Sequence, residues 1–264
     1  MPDQARQALS FGPAASEYDA RRPSYPPAVL RWALGAAPRR VLDLGAGTGI
    51  LTRVLLALGH DVVAVEPDAA MRAQLLAASP AASPAAGRGV EALAGSAEAI
   101  PLPDESVDAV TVGQAYHWFN REKAHPEIAR VLRPGGVFAP VWNIRDESVP
   151  WVARLTGITD GPRPRRPGDD PLDQLDLFIQ PMGDRSYGPL FGPCFGPVAR
   201  HVERSARSMT ADELVALMRT RSYYITATPD GRAEIDNAIR ALTAELPETF
   251  DLPYVTAVYR AERR

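Results

Sequence analysis

The chain has 264 residues, enough for one well-cored α/β domain with a modest insertion and a tight fit for two. A formal charge of −3 gives no general attraction to polyanions, which disfavours an electrostatic nucleic-acid reader, and the basic groups Arg163, Arg165, Arg166 and Arg263–Arg264 read as a solvated loop and a tail. A single cysteine, Cys194, excludes an intrachain disulfide; the N-terminus lacks a signal-peptide pattern and no apolar run reaches membrane-spanning length, so a cytoplasmic protein is the default expectation.

The first forty residues read as an N-terminal helical arm, with Val29–Gly35 apolar at helical spacing behind Pro26–Pro27. Val41–Leu44 is an apolar run ending in glycines, which fits a buried parallel strand. Thr48–Leu58 follows as a helix with Ile50, Leu51, Val54, Leu55 and Leu58 on one face. Asp61–Val65 is a second strand stopped by Pro67, Ala69–Ala78 a helix, and Ser79–Arg88 a low-complexity loop. Val90–Ala94 and Val107–Val112 read as strands three and four. The helix Glu122–Leu132 ends at Pro134-Gly135-Gly136, and Val137–Trp142 is strand five. This alternation predicts an α/β fold, a parallel sheet with helices on both faces.

After Trp142 the alternation breaks. Residues 146–197 are rich in proline and glycine, with helical patches at Trp151–Thr156 and Leu172–Gln180. Because Trp151, Leu155, Leu175, Phe178 and Phe191 need burial, the segment reads as an inserted cap rather than a linker. Strand six is expected at Val198–Arg204, helices at Ala211–Arg219 and Arg232–Ala244, and a last strand at Tyr254–Tyr259. The organisation is thus an arm (1–40), a ligand-binding core (41–145), a cap (146–197) and the rest of the core (198–264).

The segment Val41–Leu51 carries the chemistry. Glycines after a strand let backbone amides and a helix N-terminus approach a ligand closely. A dinucleotide fingerprint needs its third glycine where Ile50 stands, whereas here it is Gly49. Asp43 places a carboxylate before the turn that suits a cationic amino group and not a pyrophosphate. Glu66, at the end of the next strand, can accept hydrogen bonds from ribose hydroxyls, or is a solvated strand-end carboxylate.

At Val41–Thr52, Val65–Met71, Gly95–Asp108, Gln114–Asn120, Glu127–Trp142 with its Leu-Arg-Pro-Gly-Gly turn, and Tyr18–Pro26, the chain resembles the class I S-adenosylmethionine-dependent methyltransferases. Within them it is similar to the methyltransferase type 11-like small-molecule group that includes trans-aconitate methyltransferase relatives. The resemblance covers roughly residues 1–145. It implies a Rossmann-like seven-stranded sheet in the order 3-2-1-4-5-7-6 and S-adenosylmethionine as cofactor. Gly45, Ala46, Gly47 and Thr48 would pass against its methionine part, with Asp43 near the amino group. Glu66 would hold the ribose, Pro67 and Met71 would flank the adenine, and Ala97 and Glu98 would lie at its edge. Many relatives have aspartate where Ser96 stands, so the adenine amino contact falls to Ser96, to a backbone carbonyl or to Glu98. Gln114 would face the methionine moiety and the methyl. Tyr18 and Arg22 resemble arm residues that fold over the cofactor carboxylate, although Arg22 is equally well an exposed charge beside Arg21.

The run Gln114–Asn120 follows strand four at the edge where such folds bind ligands, and its aromatics Tyr116 and Trp118 suit an acceptor pocket. His117 is the candidate base or substrate hydrogen-bond partner, and equally a brace for this loop. Trp142, Asn143 and Arg145, at the end of strand five, are expected to point towards the acceptor side with Tyr116, His117 and Trp118. Arg145 suits a carboxylate, or a loop ion pair with Asp146 or Glu147. Tyr223 and Tyr224 line the pocket from the cap side or pack the cap. His60, His117, His125 and His201 are scattered, so no metal site is expected. The expected activity is methyl transfer to a small-molecule acceptor, oxygen favoured, by a monomer or homodimer without nucleic-acid or membrane partners. A protein or RNA acceptor, or cofactor binding without transfer, stays open. A nicotinamide dehydrogenase is opposed by Ile50 and Asp43.

Overall fold

The apolar runs ending at Leu44 and Val65 pair in parallel with in-register partners from Arg40↔Asp61 to Leu44↔Val65, and they form the centre of one seven-stranded sheet. In a computed structural model that describes residues 19–79, 89–160 and 191–264, the strands are β1 (Arg40–Leu44), β2 (Asp61–Val65), β3 (Glu91–Leu93), β4 (Val107–Gly113), β5 (Leu132–Arg145), β6 (Ala199–Thr210) and β7 (Thr249–Glu262). Their order is β3-β2-β1-β4-β5-β7-β6, as the resemblance implies. β7 runs antiparallel to both of its neighbours, and the other pairs are parallel. Tyr18, the loop around 80–88, the arginines at 163–166 and the patch Leu172–Gln180 with Leu175 and Phe178 lie outside the described residues.

Two apolar layers cover the sheet. The helices α1 (Pro27–Leu34) and α2 (Ile50–Ala57) seal one face with Val29, Leu30, Leu51 and Leu55 against Val41, Ala139 and Val141. On the other face α4 (Arg121–Val131) packs Ala124 and Ile128 against Val110, Phe138 and Trp142. Between them comes α3 (Ala69–Ala78), started by Asp68, whose carboxylate accepts from the Met71 amide at 2.9 Å. Each wholly buried leucine in these layers contributes about 1.5–3 kcal/mol.

Several boundaries differ from expectation. β5 starts at Leu132 rather than Val137, directly after α4, and the Arg133–Gly136 turn is absorbed as a register shift in the β4–β5 ladder. A residue before proline resists helical geometry, so the chain goes straight into the sheet. β6 and β7 are about twice their expected length and pair from Ala199↔Arg260 to Thr210↔Thr249. β6 is an edge strand with a largely exposed run at Arg204–Ser208, so it lacks the apolar alternation that marks a strand in sequence.

The cap is also composite. Its described helix α5 (Pro150–Asp160) buries Val152 and Leu155 in one apolar cluster with α6 (Ala211–Arg219), α8 (Pro229–Thr243) and the ends of β6 and β7 at Met209, Phe250 and Leu252. Trp151 meets Phe250 edge-on at 5.3 Å. These helices, with the short α7 (Ser222–Ile225) between them, sit at the far end of the β6–β7 hairpin. The far end of the expected cap behaves differently: Phe191 and Phe195 join Phe138 and Tyr116 in the main core.

Candidate functional site

The carboxyl ends of β1, β2 and β4 converge on the glycine turn. Amides of Gly45 and Ala46 donate to the Val65 carbonyl at 2.8 and 3.2 Å, which clamps the turn to the end of β2. Gly45 has φ of +69°, and a Cβ there would lie 2.8 Å from that of Ala115, so the turn and the β4 loop touch as only glycine permits. Gly47 has φ of +56°, and among the described residues a Cβ there would meet only the Met71 sulfur, at 3.9 Å. Met71 is therefore placed against the turn.

Two carboxylates define the electrostatics. Asp43 is wholly buried. Its Oδ2 accepts from the Thr52 hydroxyl at 2.6 Å, whereas Oδ1 has no partner among the described residues. Burial pushes its pKa up to about 7, against the lowering effect of the Thr52 bond. Glu66, 8% exposed, accepts from the amides of Gly47 at 2.9 Å and Asp68 at 3.0 Å. Burial holds its pKa above the ordinary value in spite of those two bonds. An unpartnered buried carboxylate oxygen one strand from a second acid can hold a cationic and polyhydroxylated ligand.

The remaining expected residues fall into distinct places. Thr48 is buried, and its hydroxyl donates to Asp19 at 2.8 Å. Asp19 also receives Arg53 at 2.6 Å, so this arm residue ties the arm to the turn. It had no signal in sequence, because its partners lie 29 and 34 positions away. Ser96 accepts from the Glu98 amide at 3.3 Å, and Ala97 is buried in the core. The Glu98 carboxylate accepts from the Asn120 amide at 2.8 Å, at the start of α4. Pro67 is exposed, and its carbonyl accepts from Arg72 at 2.8 Å. Gln114 stands at the end of β4 with φ of +58°, rare for a residue other than glycine, and its amide donates to the Asn143 carbonyl at 2.7 Å.

Beyond Gln114, a 3₁₀ turn spans Tyr116–Trp118. Tyr116 is wholly buried, and its hydroxyl shares a 2.8 Å hydrogen bond with His125 Nε2; it is part of the core and not of an open pocket wall. The Arg121 guanidinium covers its ring at 4.8 Å. His117 and Trp118 remain half-exposed, with their rings 4.6 Å apart. Burial and the nearby Arg121 charge push His117 and His125 down to about 4, so both are neutral at pH 7.

Trp142 and Arg145 do not share a wall. Trp142 is 3% exposed and packs edge-on against Tyr116 and Tyr259 in the core beneath α4. Asn143 and Arg145 point to the opposite face, as period-two strand geometry requires. Asn143 accepts from Thr256 at 2.6 Å and donates to the Ser24 carbonyl at 3.0 Å, which fixes the arm over this face. Arg145 donates to Thr159 at 3.1 Å and to the Met218 sulfur at 3.5 Å. Arg22 lies here too, donating to the Thr220 carbonyl at 3.0 Å. Tyr224 packs the cap, its hydroxyl 3.2 Å from Asp236. Among the described residues no group of His, Cys, Asp and Glu side chains could hold a metal, and no helix is long and apolar enough to cross a membrane.

Comparison with known proteins accords with this geometry. The methyltransferase domain family matches residues 42–139. An uncharacterized methyltransferase of Mycobacterium tuberculosis is 43% identical over 258 residues, which span 96% of this chain and 95% of that protein. A malonyl-[acyl-carrier protein] O-methyltransferase of Methylococcus capsulatus is 37% identical over 146 residues, 52% of this chain and 51% of its own. Among solved structures, a protein of Anaeromyxobacter dehalogenans described as a type II methyltransferase shares the fold with a TM-score of 0.59 at 26% identity, over 92% of this chain and 97% of that one. The sheet order, the glycine turn and a relative matched over almost the whole length lead to one assignment: the chain belongs to the class I S-adenosylmethionine-dependent methyltransferases.

Proposed function

We propose that this enzyme binds S-adenosylmethionine at the Gly45–Thr48 turn and methylates a small molecule, with an oxygen of a carboxylate or hydroxyl as the favoured acceptor. The observation that carries the reading is Asp43 Oδ1, a wholly buried carboxylate oxygen without a partner among the described residues, behind a glycine turn where a Cβ at Gly47 would touch only the Met71 sulfur among those residues. That atom fits the amino group of the cofactor, and Glu66 fits the ribose hydroxyls. Met71 and Pro67 would bound the adenine, Ser96, Ala97 and Glu98 its edge, and Gln114 the methionine end.

The bound cofactor supplies an already activated methyl on sulfur, so the chain's own residues have to align the acceptor and exclude water. His117 is neutral at pH 7 and a weak base at a pKa of about 4, which favours an acceptor that arrives already ionised. A carboxylate does so, and the O-methyltransferase relative from Methylococcus capsulatus supports oxygen as the target atom. His117 then serves as a hydrogen-bond partner at the mouth of the acceptor site, beside Trp118.

Calorimetric titration with S-adenosylmethionine and S-adenosylhomocysteine tests the reading, with Gly47→Arg as the blocked control. Saturable binding of both, lost in the control, supports it. A folded wild-type chain that binds neither overturns it.

A further inference from the structure

The two edges of the sheet differ in kind. β3, at one end, has three residues and is blunted by its shortness. β6, at the other, has twelve and contains no proline. Its ladder to β7 runs from Ala199↔Arg260 to Thr210↔Thr249 without a register shift, so no bulge twists the edge away. Among the described residues no strand lies on its outer side. Such an edge presents a row of backbone N–H and C=O groups that another strand can satisfy. What guards it is charge, at Arg200, Glu203, Arg204 and Arg207.

Those charges select the strand that fits. In an antiparallel ladder alternate residues turn both N–H and C=O outward, so two copies of β6 pair only with residues of equal parity opposite one another. A twofold axis at Glu203 or at Arg204 sets that charge against itself, and one at Val202 sets Arg200 against Arg204. An axis at Ala206 makes no ion pair. An axis at Ser205 avoids every like pair directly opposite, sets Glu203 against Arg207 twice, and pairs the strand from Arg200 to Thr210. Glu203 and Arg207 share the face of α1 and the arm, since Trp32 stacks on His201 at 5.2 Å and Arg207 donates to the Arg21 carbonyl. The Glu203 side chain is 38% exposed. Arg204, whose diagonal neighbour in this register is its own copy, has Asp146 at 3.6 Å to offset its charge.

We propose that β6 is a docking edge for a second copy of this chain, in a twofold dimer whose axis passes at Ser205 and whose sheet runs continuously through both copies. About ten main-chain hydrogen bonds and two Glu203–Arg207 ion pairs hold it together. A second copy is the occupant, rather than an unrelated strand, because the charge pattern of β6 complements itself in this register alone. His201 then stands opposite Met209 of the other copy, and the exposed Trp32, stacked on His201, borders the interface. The dimer is independent of the methyltransferase reading.

The test joins sedimentation velocity of the full chain across the micromolar range with cysteine cross-linking. The wild type should sediment as a dimer. Glu203→Arg should weaken that dimer at least tenfold, and adding Arg207→Glu to it should recover most of the loss. Cross-linking reads the register in variants that leave the charges alone, at the exposed Ser205 and Ser208. Two Ser205 residues face each other at a Cα separation of about 4.5–5.5 Å, within disulfide reach, whereas two Ser208 residues lie about 20 Å apart. Under mild oxidation Ser205→Cys should therefore yield at least tenfold more disulfide-linked dimer than Ser208→Cys or the wild type with its single Cys194. A wild type that stays monomeric overturns the proposal. So does a dimer that Glu203→Arg leaves as tight as before, since another surface would then hold it. Equal cross-linking of the two cysteine variants overturns it as well, because the axis would not lie at Ser205.

Discussion

The substitution Asp43→Asn isolates the electrostatic cost built into the cofactor turn. In the folded chain the Asp43 carboxyl titrates at about 7, whereas its ordinary value is 3.8. Below the lower value both folded and unfolded chains hold the proton and the group is neutral to stability. Between the two values the unfolded chain has released the proton and the folded one retains it, so raising the pH favours unfolding. Above the folded pKa the loss levels off. From pH 5 to pH 8 about two units of this window are crossed, which at about 1.4 kcal/mol per unit removes about 3 kcal/mol from the wild type. Asparagine at this position keeps an acceptor for Thr52 and does not titrate. For a chain of this size the difference amounts to a melting-temperature gap that shifts by about 5–11 °C in favour of the variant between those two pH values. Differential scanning calorimetry of both proteins without cofactor reads it directly. The same gap at both pH values would refute the burial of an unpartnered carboxylate. Addition of S-adenosylhomocysteine should narrow the shift in the wild type, because an ammonium beside Oδ1 stabilises the ionised form.

Tyr116→Phe removes the partner of His125 in the core and should cost about 1–3 kcal/mol in urea unfolding; an unchanged midpoint would show that the pair contributes nothing. Asp19→Ala releases Thr48 and Arg53 together, so trypsin should cut the arm after Arg21 faster while the melting temperature falls by only a few degrees, a loss of about 1 kcal/mol. Equal cleavage rates in the two proteins would dispose of the arm latch. His117, held at about 4, should leave kcat/KM for the acceptor at saturating S-adenosylmethionine flat between pH 6 and 8; an inflection near 6.5 that disappears in His117→Gln would show instead that it titrates as a base in turnover.

What the sequence by itself determined was local in kind. Apolar runs ending in Gly45 and in Glu66, helices at 3.6-residue spacing and the offset of Gly49 from a dinucleotide fingerprint are all short-range patterns, and they were enough for the parallel core and for the turn. Period-two geometry alone could also have separated Trp142 from Arg145, since residues three apart in a strand face opposite ways. Which of the two faces is sealed by α4 and which is crossed by the arm was decided by packing. Asp19 and Arg22 owe their places to contacts that span from 29 to 198 residues of chain, and no local spacing encodes such pairs. The helices between β6 and β7 pack with α5 because Val152, Leu155, Leu214 and Leu242 share one apolar cluster, an outcome that composition leaves open.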